Sequence, residues 1–259
     1  MTEGRITVAD VRASFNREIK NHFTVTWLGR PLANLMTPPF FNTGWSADGV
    51  SYLRIVIAMV GVGLLLSTAP VLHAAAAMIF YLCFVLDCVD GNLARLRGTV
   101  TYWGKFLDGL SDFVFVLGAP IAAGVGLWLY AARADLLLVG ALVTATSLAS
   151  QMVRSRLSFT REWMTANSGP LNDATVARAG RSRAVQRVVS AIYVNGTFFA
   201  PVLLLFPQAG PVWYVWCLVV AQLVPEVIWL MATIAEARVI LDRSRRSIHA
   251  APPAENMSS

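Results

Sequence analysis

Four aspartates fall between residues 87 and 112 of this chain: Asp87 and Asp90 in the run DCVDGNLARLRG, then Asp108 and Asp112 in GKFLDGLSD. The first two are three residues apart and the last two are four apart, so each pair shares one face of a helix. Apolar segments lie on both sides. Four ionised carboxylates held this close repel one another, and carboxylates placed at a membrane boundary carry a desolvation cost that usually marks a functional site. A bound cation removes both problems. Oxygen ligands without Cys or His suit Mg²⁺ or Mn²⁺, or Ca²⁺. The bland alternative pairs each aspartate with a nearby cation or a helix end, and Arg95, Arg97 and Lys105 are at hand for it. Four aspartates at helical spacing on two adjoining helices weigh against that alternative.

Small residues share the carboxylate faces. Gly91 and Ala94 follow Asp87 by four and seven positions, and Gly104 precedes Asp108 by four. Residues without bulk allow close approach of a ligand, although on membrane helices they also serve helix packing. On these faces they point to a flat substrate lying against the helices. Arg95 adds a fixed positive charge suited to phosphate.

The elements that must position these groups are legible from composition. The 259 residues are 56% hydrophobic and 14% charged, against roughly 25% charged in a soluble domain. This composition predicts an all-α integral membrane protein. Apolar runs give six spans, at about 50–70, 72–92, 105–131, 135–157, 186–206 and 212–238. Pro70 and the stretch FPQAGP break neighbouring spans into tight hairpins. No internal repeat and no break within a span is evident. The three cysteines lie in apolar segments and are expected as free thiols.

An even number of spans puts both termini on one side. Basic residues crowd that side, in the N-terminal segment, between spans two and three, between spans four and five, and after span six, while Arg133 alone falls opposite. The bias predicts cytoplasmic termini and a cytoplasmic aspartate cluster. The net charge of +6 then reflects a face beside anionic lipid rather than nucleic-acid binding. Residues 16–36 interleave charges with apolar side chains and are expected to form an amphipathic juxtamembrane helix or a short solvated one. The expected organisation is an N-terminal cytoplasmic segment over 1–48, a six-helix membrane domain over 49–240, and a polar, disordered tail over 241–259.

The pattern Asp87-x-x-Asp90-Gly91-x-x-Ala94-Arg95, eight residues, then Gly104-x-x-x-Asp108-x-x-x-Asp112 resembles the signature of the CDP-alcohol phosphotransferases, with every position filled. The resemblance implies a phospholipid-biosynthetic transferase that moves a phosphatidyl or other phosphoalcohol group from a CDP-linked donor to an acceptor hydroxyl and releases CMP. It implies two divalent cations, Mg²⁺ or Mn²⁺, held by Asp87, Asp90, Asp108 and Asp112, with Asp112 as the base toward the acceptor. It places Gly91, Ala94, Arg95 and Gly104 at the cytidine-diphosphate site. The expected partners are a CDP-linked lipid donor, a small alcohol or phosphorylated-alcohol acceptor, membrane lipid and a second copy in a homodimer. The expected location is the bacterial inner (cytoplasmic) membrane.

Other parts of the chain resemble the family less closely. SADGVSYLR at 46–54 is similar to the family's entry to the first span, often T-P-N-x-x-T-x-x-R, with Ala47 and Asp48 in place of Pro and Asn. SQMVRSR at 150–156 resembles the end of the fourth span in members with phosphorylated acceptors, which makes Arg154 and Arg156 candidates for acceptor binding, against plain positive-inside anchoring. Glu226, beside Pro225, is a second intramembrane acid that either reaches the acceptor or metal site or bonds to a neighbouring helix. Two rival functions use similar chemistry. A membrane prenyltransferase also binds diphosphate through metal and aspartates, but from two aspartate-rich motifs far apart. A cation transporter usually sets its site at mid-membrane on broken helices in repeated halves. An inactive family member with a scaffold role is a third possibility.

Overall fold

A computed structural model describes residues 5–14, 23–168 and 183–250. Among these residues the chain is helical, with short turns between the helices. Six helices are long and apolar enough to cross a membrane: Ala47–Leu65, Pro70–Arg97, Tyr102–Ala131, Ala134–Thr165, Arg187–Leu205 and Gly210–Arg238. They match the six apolar runs, and this is an integral membrane protein. Between 28% and 44% of each span's most apolar stretch is buried within the chain, so the remainder faces lipid or another molecule.

The spans that carry the aspartates run further than their apolar runs. The second continues to Arg97 and is closed by Gly98 at φ 63°, a left-handed conformation that glycine adopts without strain. The third starts at Tyr102 because the Thr101 hydroxyl accepts from the Gly104 N–H at 2.9 Å. All four aspartates therefore sit inside continuous helices rather than in a loop.

The short link between these helices leads one to expect direct packing of one upon the other. The structure differs. Both pack closely on the first span, which lies between them, and they hardly touch each other. Interposing that helix keeps the two carboxylate pairs apart and brings a cation between them, as the site shows below. The buried stripe of the first span is Ser51, Arg54, Ala58, Gly61 and Leu65, an i, i+3, i+7 pattern on one face. Gly126 of the third span lies directly against the Leu65 carbonyl, where a Cβ would collide with backbone. Gly126→Val should thus force the first and third spans apart and cost about 1–3 kcal/mol, read as a lower unfolding temperature in detergent. Gly63→Ala on the same first span, where a Cβ meets nothing within 4 Å, should leave it unchanged.

Two spans are irregular, contrary to the expectation of unbroken helices. The fifth changes from α-helix to a 3₁₀ segment over Ala200–Leu205, which holds Pro201. The sixth passes from α-helix through a π segment at Val219–Leu223 just ahead of Pro225. Proline lacks an N–H and its ring crowds the carbonyl four residues back, so local re-spacing relieves the clash.

On the side of the 98–101 link, the helix Arg30–Asn42 lies over the second span. Asn92 donates to the Thr37 hydroxyl at 2.9 Å, and Arg97 donates to the Phe41 carbonyl at 3.2 Å and stacks 4.8 Å over its ring. Phe23, Trp27 and Leu35 point outward on this segment, as an interfacial element requires. Residues 15–22, part of the expected amphipathic stretch, lie outside the described residues. The last helix continues to Ala250, so ten positions of the expected disordered tail are helical; 251–259 lie outside the described residues. Cys83, Cys88 and Cys217 are free.

Candidate active site

Arg54 organises the aspartates. Its side chain is 3% exposed. One guanidinium nitrogen pairs with Asp87 and lies 3.8 Å from Asp90. The other lies 2.9 Å from Asp108 and 3.6 Å from Asp112. Its Nε donates to the Ser111 hydroxyl at 2.5 Å, between the two aspartates of the third span. A buried guanidinium thus reaches all four carboxylates, which is how the chain holds them together in an apolar setting. In the sequence Arg54 closes the SADGVSYLR entry to the first span, on the side where basic residues gather. Its position seven residues into an apolar helix, three after Ser51, is the signal that separates it from an anchor.

One carboxylate oxygen each from Asp87, Asp108 and Asp112 lies within 4.8 Å of the others. Asp90 stands beside this trio, its Oδ2 accepting from Ser51 at 2.8 Å. The trio offers oxygen donors only, from two helices and partly open to ligand, a set that could hold a hard divalent cation. Arg95, the other cation of the motif, donates to Asn92 at 2.7 Å.

Gly91, Ala94 and Arg95 are half-buried and continue the aspartate face of the second span toward the 98–101 link; Gly104 does the same on the third. A Cβ on Gly104 would stand 3.4 Å from the Asp48 carboxylate, which brings the start of the first span to this surface. In the other direction the aspartates border a cavity of about 720 Å³. Asp87, Asp108, Asp112 and Arg54 line one part of it, and Arg154, Glu226, Gln151, Tyr193 and Trp229 another, with apolar side chains between. Such a cavity suits a ligand with both a charged head and an apolar body.

Arg154 and Arg156 border different hollows. Arg154 lies in the wall of this cavity, 2.7 Å and 3.4 Å from the two Glu226 carboxylate oxygens and 2.7 Å from the Ser150 hydroxyl. Arg156 is exposed and borders a separate shallow groove with Phe113, Met152 and Phe159. Glu226 thus bonds to a neighbouring helix and lines the cavity at once. Tyr193, Thr197 and Trp229 went unnoticed in the sequence, because single polar or aromatic residues in apolar spans carry no periodic signal.

The fold is thus a helical membrane domain whose carboxylates border a largely apolar cavity. Residues 45–181 match the model of the CDP-alcohol phosphatidyltransferase family. This covers more than half of the chain, and the chain belongs to that family. Over 52 residues it is 46% identical to the CDP-diacylglycerol–glycerol-3-phosphate 3-phosphatidyltransferase of Bacillus subtilis (strain 168). That stretch is 20% of this chain and spans 27% of the relative's length. Family membership leaves the prenyltransferase and transporter readings without support.

Proposed function

We propose that this protein transfers a phosphatidyl or similar phosphoalcohol group from a CDP-linked lipid, with CDP-diacylglycerol as donor, to an acceptor hydroxyl. The observation that carries this reading is the trio of carboxylates within 4.8 Å of one another beside the apolar cavity, within the region that matches the family. In the reaction the acceptor oxygen bonds to the lipid-bearing phosphorus, the phosphorus–oxygen bond to CMP breaks, and the acceptor proton passes to an Asp112 carboxylate oxygen. Asp87, Asp90, Asp108 and Asp112 would hold two divalent cations, Mg²⁺ or Mn²⁺, which when bound neutralise charge on the diphosphate oxygens.

The chain's own groups do the rest. The Arg54 guanidinium holds Asp87, Asp108 and Asp112 together as the trio, with Asp90 beside them. Gly91, Ala94 and Gly104 leave an open surface for the cytidine diphosphate, with Arg95 at its edge. The cavity takes the apolar body of the donor and excludes water. The site and both termini face the cytoplasm, as the basic residues of the connecting segments direct, and the protein works as a homodimer in the bacterial inner membrane.

Purified protein with CDP-diacylglycerol, Mn²⁺ or Mg²⁺ and a panel of alcohols should release CMP only when a suitable acceptor is present. No release across CDP-diacylglycerol, CDP-choline and CDP-ethanolamine with the whole panel sinks the reading.

A further inference from the structure

We propose that the acceptor is an alcohol without a phosphate of its own, a polyol or an amino alcohol, and that the Arg154–Glu226 pair selects it. This rests on the transferase reading above. The pair stands in the wall of the cavity that also holds Asp108 and Asp112, so a ligand at Arg154 shares one chamber with the proposed base.

Arg154 is the natural anchor for an anion there, and its charge is already taken. Both Glu226 oxygens face its two terminal nitrogens, at 2.7 Å and 3.4 Å, in the fork-to-fork arrangement that a phosphate would otherwise adopt. Glu226 is 0% exposed, so water does not screen its charge. The nitrogen nearest Glu226 also donates to the Ser150 hydroxyl at 2.7 Å, and the Trp229 ring lies 5.2 Å from the guanidinium, whose side chain is 35% exposed. Tyr193 packs on Trp229 at 5.0 Å and closes the cluster. An incoming phosphate would have to displace a buried carboxylate or sit beside it, and either costs heavily in a low-dielectric site.

Neutral hydroxyls meet no such barrier. Thr197 is one of the residues around the cavity, is 9% exposed, and its buried hydroxyl has no hydrogen-bond partner among the described residues. Such a buried group wants a partner, and an acceptor hydroxyl supplies one. An ammonium group, as on an amino alcohol, meets a pair whose charges cancel rather than an uncompensated Arg154.

The test measures CMP release from CDP-diacylglycerol with glycerol, inositol, serine and ethanolamine, and with glycerol 3-phosphate and inositol 1-phosphate. In the wild type at least one unphosphorylated acceptor should exceed both phosphorylated ones by about tenfold or more in kcat/KM. Glu226→Gln keeps a hydrogen bond to Arg154 and removes the negative charge. It should raise the phosphorylated-to-unphosphorylated ratio by about tenfold. The wild-type comparison needs no variant to fold. Preference of the wild type for either phosphorylated acceptor, or a ratio unmoved in a folded Glu226→Gln protein, overturns the proposal while the transferase reading stands. Silence with every acceptor overturns the transferase reading and this proposal with it.

Discussion

Asp112→Asn should lower CMP release by about a thousandfold without loss of the folded protein. Asp112 is the aspartate of the motif whose side chain is most open, 70% exposed against 12% for Asp90. It belongs to the carboxylate trio and borders the cavity from which the acceptor arrives. An alcohol oxygen cannot leave its proton to water at neutral pH as fast as the substitution at phosphorus demands, so a carboxylate placed at that oxygen contributes most when the proton becomes acidic in the transition state. Asparagine preserves size and hydrogen bonding but cannot take the proton. The Arg54 contact to Asp112 is 3.6 Å, longer than the 2.9 Å to Asp108, so its loss should disturb the fold little. Steady-state kinetics with saturating donor checks this. A rate within a few-fold of wild type removes Asp112 from the role of base.

Arg54→Met should lower stability to an extent that depends on divalent ions. The guanidinium is buried and balances carboxylates from two helices that do not pack directly on each other. The substitution leaves the largely buried Asp90 uncompensated, while water screens Asp87, Asp108 and Asp112, so the cost should be about 1–3 kcal/mol. In EDTA the variant should unfold at a markedly lower temperature than wild type. Added Mn²⁺ should recover much of that loss, since a cation among Asp87, Asp108 and Asp112 replaces the missing charge, whereas wild type should respond less. Thermal unfolding in detergent with and without Mn²⁺ makes the comparison. Equal unfolding temperatures for variant and wild type in EDTA would show that Arg54 does not hold the site together.

The donor half of this site was legible because its chemistry is written at fixed spacing on single helices. Asp87 with Asp90 and Asp108 with Asp112 need only helical periodicity to be placed on common faces, and Gly91, Ala94 and Gly104 extend those faces. Spans were legible for a similar reason, since apolar length alone decides them. Arg54 was not, because its meaning comes from a tertiary arrangement: the first span wedged between the second and third. Short links suggest that consecutive helices pack, and here electrostatics and the close fit of Gly126 on the Leu65 carbonyl favour another partner. The residues proposed to meet the acceptor, Arg154, Thr197 and Glu226 with Tyr193 beside them, lie on three different spans. Proximity of Arg154 and Arg156 in sequence suggested one phosphate site, yet positions two apart on a helix point in different directions, and only Arg154 reaches the cavity. The irregular turns before Pro225 and at Pro201 shift side-chain register in ways that regular periodicity does not foresee.

The central claim is that the four aspartates are a cation site for a CDP-linked donor rather than a purely structural ion-pair cluster. Mn²⁺ binding followed by electron paramagnetic resonance on the detergent-solubilised protein tests it most directly. Wild type should bind Mn²⁺ saturably, Asp108→Asn should weaken that binding by at least about tenfold, and Glu226→Gln, which leaves the aspartates intact, should bind as wild type does. Binding by Asp108→Asn equal to that of wild type would contradict the account.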